Sequence, residues 1–277
     1  MAAEVSALRQ LLLREPAVLV RVHALQGSGP REVGAWMAVG AQGQLIGTIG
    51  GGQLEFDAIA QARALLCQPA AAEDETLRRY PLGPSLGQCC GGVVTLSFAR
   101  LGAADIADLA QRLEAGVQRL PVALFGGGHV GRAIVKLLAD LPARVQWFDS
   151  RDEVFPVDLP ETVHTEHSDP IEAAVRDIAA GARVLIMSFS HAEDLEVLAA
   201  CLRRRRQAGD LPYLGLIGSK SKWASFRHRL QERGFTAAEL DAVVCPVGLM
   251  AIKGKQPAVV ALSVVAQLFE DSGSSSR

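Results

Sequence analysis

The stretch that begins at Pro121 leaves little choice of fold. Short apolar runs at Val122–Phe125, Arg144–Phe148, Arg183–Ser188 and Tyr213–Ile217 alternate with helical patterns. The helices are predicted over Val130–Ala139, Ile171–Ala179, Asp194–Arg206 and Lys222–Arg233, with a last apolar helix over Pro257–Phe269. Strands that alternate with helices imply a parallel sheet covered on both faces. Phe125-Gly126-Gly127-Gly128-His129-Val130-Gly131 joins the first of these strands to the first helix. The spacing Gly126-x-Gly128-x-x-Gly131 is the Rossmann phosphate fingerprint, and Asp149 ends the next strand about twenty residues on. Gly126 permits the turn, Gly128 lets a pyrophosphate approach and Gly131 allows close helix–strand packing. The helix N-terminus adds N–H donors and a positive dipole. Gly126, Gly128, Gly131 and Asp149 are therefore candidates for binding a nucleotide or NAD(P), although a fold does not dictate its ligand.

The preceding part reads as mixed α and β. Strands are predicted at Ala17–Leu25, Gln44–Ile49 and Val93–Phe98, and helices at Gln53–Leu66 and Ala103–Val117. The domain boundary falls near Arg119–Pro121. The expected architecture is α/β: an N-terminal mixed α+β domain (1–118), a Rossmann-like parallel-sheet domain (119–270) and a disordered polar tail (271–277).

The first domain carries its chemistry in glycine-rich loops. Gly87-Gln88-Cys89-Cys90-Gly91-Gly92 presents two adjacent thiols on a flexible backbone. A structural cysteine hides in an apolar helix or strand. Thiols on such a loop are placed to ligate a soft metal, exchange sulfur or change redox state. Gly47-Thr48-Ile49-Gly50-Gly51-Gly52-Gln53-Leu54-Glu55 is either a nest of N–H groups for an anion or a plain strand-to-helix turn. Gly27-Ser28-Gly29-Pro30-Arg31 adds a hydroxyl and a guanidinium suited to anions. Three such loops point to a polar, phosphate-bearing ligand near the thiols.

Composition excludes several classes. The net charge of −2 supplies no basic excess for neutralising nucleic-acid phosphates. No apolar run reaches the roughly 18 residues of a membrane span, and the start of the chain lacks a secretory signal. Five irregularly spaced cysteines make no disulfide framework and suit a reducing compartment. A soluble cytoplasmic protein is expected. Cys67, Cys201 and Cys245 read as structural thiols, and Arg203–Arg206 as a solvated helix end. Ser219 reads as an N-cap beside a solvated lysine face or as an anion contact, and His191 as a helix-start residue or as an acid–base or ligand group. No zinc-site spacing and no G-x-S-x-G elbow is present.

These motifs together resemble the XdhC/CoxI family, accessory proteins of xanthine dehydrogenase and related molybdenum hydroxylases. The resemblance runs collinearly through the three glycine-rich loops, Phe125–Gly131, Phe148-Asp149-Ser150-Arg151, Tyr213–Lys220 and Cys245-Pro246-Val247-Gly248-Leu249. It implies a chaperone without turnover of its own. Such a protein binds the molybdenum cofactor (molybdopterin), protects it while a cysteine desulfurase installs the sulfido ligand, and delivers it to apo-xanthine dehydrogenase or a related enzyme. On this reading Cys89 or Cys90 contacts the metal, beside Gln88. Gly50, Gly51 and Gly52 cradle the phosphate, with Ser28 and Arg31 close by, and the chain forms a homodimer.

Two positions depart from the family pattern. Ser188-Phe189-Ser190-His191 stands where many members have Thr-His-x-His, and Ala258 where an acid often follows the proline of the last helix. The alternative is an NAD(P)-dependent oxidoreductase with Cys89 and Cys90 as its redox pair and His129 or His191 as acid–base group. A thiol sensor or a zinc site ranks below both. Vicinal cysteines form only a strained disulfide, and a closed zinc site needs more ligands.

Overall fold

A strand that opens Ala17-Val18-Leu19-Val20 is apolar at every position, so a sheet built around it needs cover on both faces. The computed structural model describes residues 2–68, 75–82, 92–114 and 119–270, and it shows that cover. The chain divides into two units, Met1–Gln118 and Arg119–Arg277. In the first, helix α1 (Ala2–Leu12) precedes strands β1 (Ala17–Gln26), β2 (Trp36–Gly40) and β3 (Leu45–Gly47). Helix α2 (Gly52–Leu66), strands β4 (Thr76–Pro81) and β5 (Val93–Leu101), a 3-10 turn at Ala103–Ile106 and helix α3 (Leu109–Glu114) follow. The strands form one antiparallel sheet in the order β3-β2-β1-β5-β4. Val18, Val20 and Val22 pack with Leu54, Ala58 and Ala62 of α2. Ala17 and Leu19 join Leu8, Leu11 and Leu12 of α1 and Leu109 and Leu113 of α3 in a second cluster.

The second unit runs β6 (Leu120–Phe125), α4 (His129–Leu138), β7 (Ala143–Asp149), β8 (Val163–His167), a 3-10 segment at Ile171–Asp177, β9 (Arg183–Ile186) and α5 (His191–Ala208). It continues through β10 (Tyr213–Leu216), α6 (Lys220–Glu232), α7 (Ala237–Asp241), β11 (Val243–Val244) and α8 (Pro257–Glu270). All six strands are parallel, in the order β11-β10-β9-β6-β7-β8. The chain moves outward from β6 to β8 and then restarts on the other side with β9. That reversal opens a crevice at the C-terminal ends of β6 and β9, where sheets of this kind bind ligands. Leu195, Leu198 and Leu202 of α5 and Phe226 of α6 fill one core. Ile134, Val135 and Leu138 of α4 and Ala261, Val264 and Leu268 of α8 fill the other.

The structure adds elements that the periodicity of the sequence does not display. Strand β2 is buried at all five positions, so it shows no alternation. The edge strands β4 and β8 are polar and largely exposed. The predicted helix Ala103–Val117 breaks into the 3-10 turn and α3, and Ile171–Asp177 winds as 3-10 rather than α. Helices α5 and α6 begin earlier than predicted, because Ser190 and Ser219 cap them by accepting the N–H groups of Glu193 and Lys222. The tail 271–277 lies outside the described residues.

The tightest point of the second unit is the turn from β6 into α4. Gly126 has φ +120°, and a side chain there would collide with the Met187 carbonyl. A Cβ on Gly131 would strike the Gly126 carbonyl, whereas one on Gly128 would meet nothing within 4 Å. Gly131→Ala is therefore expected to destabilise the protein by about 1–3 kcal/mol through overpacking. Gly128→Ala, at φ −71°, should leave thermal unfolding nearly unchanged.

Candidate functional site

In the first unit the chain brings two of the three glycine-rich loops, and the described end of the third, against one another. Strands β4 and β5 pair as a hairpin with Pro81 opposite Val93, and the Leu82 N–H donates to the Gly92 carbonyl (2.7 Å). Gln88, Cys89 and Cys90 belong to the segment 83–91 between these anchors, outside the described residues. Gly92 is buried, and a Cβ there would collide with the Ser28 carbonyl. From Ser28 the chain reaches Pro30, whose ring would lie 2.6 Å from a Cβ on Gly50. Arg31 donates to the Thr48 carbonyl (3.4 Å) and pairs with Glu32 (3.0 Å).

Gly50, Gly51 and Gly52 have φ of +119°, +75° and +65° in succession, a path closed to residues with a Cβ. The turn that results holds a carboxylate of the chain itself. Glu55 Oε2 accepts the Thr48 hydroxyl (2.6 Å), the Ile49 N–H (3.0 Å) and the Gly51 N–H (3.1 Å). The Gly50 N–H donates to Thr48 Oγ1 (3.1 Å). Burial pushes the Glu55 carboxyl upward, but the Thr48 hydroxyl and the surrounding N–H groups outweigh it and hold the group below its ordinary range. Beside this nest the N-terminus of α2 has no side-chain cap.

In the second unit Gly126 and Gly127 are buried and Gly128 is exposed. Backbone groups of the first two are engaged within the protein. The Gly126 carbonyl accepts from Trp147 Nε1 (3.0 Å) and the Gly127 carbonyl from Arg132 Nε (3.2 Å). Asp149 is fully buried. Its Oδ2 accepts the Gly127 N–H (2.5 Å) and Arg151 Nη2 (2.9 Å), and its Oδ1 accepts the Arg151 N–H and Nε (2.9 Å each). Burial pushes this carboxyl up too, but Arg151 and the N–H donors together pull it below the usual carboxylate range.

Farther along the same sheet edge, Lys222 departs from the solvated face expected of it. Its ammonium donates to Asp194 Oδ2 (2.6 Å) and the Ile217 carbonyl (2.8 Å), 5.3 Å from the centre of the Phe226 ring. The pair is buried, at 9% and 3% exposure, and Asp194 also accepts the Ser188 N–H (2.7 Å). His191 is the exposed first residue of α5, its ring edge-on to Phe226. The arginine run is likewise not a free surface. Arg204 pairs with Asp210 (2.5 Å), Arg205 donates to the Leu211 carbonyl (2.8 Å) and Arg206 pairs with Glu239 (2.6 Å). Cys201 is buried, which pushes its thiol up to about 12, and burial also raises Cys245, whereas Cys67 is exposed rather than packed. Among the described residues no group of three or more histidine, cysteine or acidic side chains is placed to hold a metal ion. No described helix is long and apolar enough to cross a membrane.

Sequence reasoning singled out the glycines but not the carboxylate that fills their turn. The signal for Glu55 was its place in the first turn of α2. The signal for Arg151 was its spacing of two from Asp149. Nothing local announced Lys222–Asp194, whose partners are 28 residues apart.

The XdhC Rossmann domain model matches residues 122–268, and the XdhC and CoxI family model matches residues 11–81. Among curated proteins of Escherichia coli (strain K12), the uncharacterized protein YqeB is 26% identical over 258 residues. That match takes in 92% of this chain but only 43% of YqeB, so the chain spans less than half of that relative. The molybdenum cofactor insertion chaperone PaoD is 25% identical over 298 residues, 95% of this chain and 85% of PaoD. A crystal structure described as a xanthine dehydrogenase from Bacillus halodurans superposes with a TM-score of 0.69 at 18% identity, covering 99% of this chain and 98% of that one. This last likeness is one of fold.

Three substitutions probe these sites. Lys222→Met leaves Asp194 as an uncompensated buried charge and should cost about 3–5 kcal/mol in denaturant unfolding. Adding Asp194→Asn should recover part of that loss. Glu55→Gln should lower the melting temperature at pH 7. Because the folded-state pKa of Glu55 is depressed, its contribution is full above the ordinary glutamate pKa and is lost as pH falls through the folded value. The gap between wild type and variant should therefore close in acid, as thermal melts at several pH values would show.

Proposed function

The chain belongs to the XdhC and CoxI family, and from that premise we propose that it is an insertion chaperone for the molybdenum cofactor. Its cargo on this reading is molybdopterin-bound molybdenum. The protein shields the cofactor while a cysteine desulfurase installs the sulfido ligand, then hands it to apo-xanthine dehydrogenase or a related molybdenum hydroxylase. It works in the cytoplasm as a homodimer and turns over no substrate of its own. The similarity to PaoD along 95% of the chain supports the insertion role.

The observation that carries the reading is the meeting of loops in the first unit. Gly92 ends the cysteine segment against Ser28, and the same loop continues through Pro30 and Arg31 onto Gly50. Cys90 is two residues before Gly92, and each step of the chain spans at most about 3.8 Å. One thiolate from Cys89 or Cys90 would serve as the soft donor to the metal. Gln88, Ser28, Arg31 and the Gly50–Gly52 turn would surround the pterin and its phosphate. Glu55 already fills part of that turn, so a phosphate would either displace its carboxylate or bind beside it, at the uncapped start of α2.

Purified protein loaded with molybdenum cofactor should retain molybdenum and pterin in equal amounts. Cys89→Ala or Cys90→Ala should lose both by at least about tenfold, the equivalent of one decade in affinity. Folded, reduced wild type that retains neither would overturn the proposal.

A further inference from the structure

In the order β9-β6-β7, any contact between the loop after β7 and the loop after β9 must pass over the C-terminal end of β6. A dinucleotide in a fold of this kind lies at that place, its pyrophosphate on the glycine turn and its ribose on the acid that ends the second strand. Here side chains of the protein span it. Ser150 Oγ, just after β7, donates to Glu193 Oε1 (2.8 Å). Glu193 Oε2 in turn accepts the Phe189 N–H (3.1 Å), just after β9. The Arg151 guanidinium lies 4.6 Å from the centre of the exposed Phe189 ring. The two loops are thus joined by a hydrogen-bonded bridge and by a cation stacked on an aromatic face.

The same segment also takes the groups a nucleoside would need. All of the acceptors on Asp149 that a ribose diol would use are engaged, by Gly127 and by Arg151. Val154 lies over the turn, its methyl groups 2.8 and 2.9 Å from where a Cβ on Gly127 would stand. Arg132 fixes that arrangement by donating to both the Gly127 carbonyl and the Val154 carbonyl (2.6 Å). Phe155 stacks edge-on against Trp147, whose indole N–H is bound to Gly126. Displacing the segment to admit a ribose would expose Asp149, unpair Arg151 and break the bridge through Glu193.

We infer that Ser150–Phe155 is a strap that closes the crevice of the second unit to adenosine-bearing dinucleotides, with Arg151 as its clasp. A glycine fingerprint followed by a strand-end acid is thereby turned from a nucleotide site into a self-satisfied structural corner. The inference stands apart from the chaperone reading, because cofactor loading is not part of its readout and either can fail alone.

The test is titration of the full chain with ADP-ribose by calorimetry and with NADH by tryptophan quenching. Wild type should give no saturable signal up to about 1 mM. Arg151→Ala, shown to be folded by circular dichroism, frees the Asp149 carboxylate and should bind ADP-ribose at least about tenfold more tightly than wild type. Saturable binding of either ligand by wild type below that concentration would overturn the inference, and this arm needs no variant. A folded Arg151→Ala as silent as wild type would also overturn it, by showing that the clasp is not what closes the crevice. If Arg151→Ala does not fold, Arg151→Met, which keeps an apolar stem of similar reach but donates nothing to Asp149, takes its place under the same two outcomes.

Discussion

The second unit depends on a contact that only two hydrogens make possible. Helix α4 runs back along β6 at a distance where a Cβ on Gly131 would strike the Gly126 carbonyl, and β9 crowds Gly126 from the other side. That closeness brings Trp147 within reach of Gly126, Asp149 within reach of Gly127, and Arg132 within reach of both Gly127 and Val154. The strap over the crevice rests on this corner. So do the two cores, because β6 sends Ala123 and Phe125 into one and, together with α4, Val122 and Leu124 into the cluster that also contains α8.

Both units treat a glycine-rich turn in the same physical way. A backbone forced into unusual angles points several N–H groups toward one place, and converging dipoles of this kind attract negative charge. In the first unit Glu55 answers two such N–H groups; in the second Asp149 answers one, that of Gly127, and takes its other donors from Arg151, and each carboxyl is held below its ordinary range although burial acts the other way. The consequences differ. Glu55 is half-buried, next to an exposed Gly50 and Gly52 and an uncapped helix start, so its donors lie close to solvent. Asp149 is fully buried and doubly bonded to an arginine, so exchange there requires a whole segment to move. Under the proposed chaperone role, a turn whose donors have a resident partner to return to would suit release of cargo.

The sequence by itself determined the alternation that makes the parallel sheet, the glycine turn at its centre and the family to which the chain belongs. These are legible because they rest on local rules: a period of strand and helix, and backbone angles that only glycine tolerates. The Ser219 cap and the terminus of β7 at Asp149 belong to the same class. Strand β2 was not legible, because burial on both faces erases alternation, and β4 and β8 were not, because edge strands are polar.

Only the tertiary structure decided what the polar side chains do. Lys222 and Arg203–Arg206 read as solvated charges in one dimension, yet Lys222 is buried on Asp194 and three of the arginines fasten loops and helices to one another. Asp149 reads as an acid waiting for a ligand, and its neighbour two residues on satisfies it instead. A residue's local pattern fixes its backbone, but a charge is settled by whichever opposite charge or dipole the fold brings within about 3 Å. For Asp194 and Lys222 that partner comes from another element of the fold.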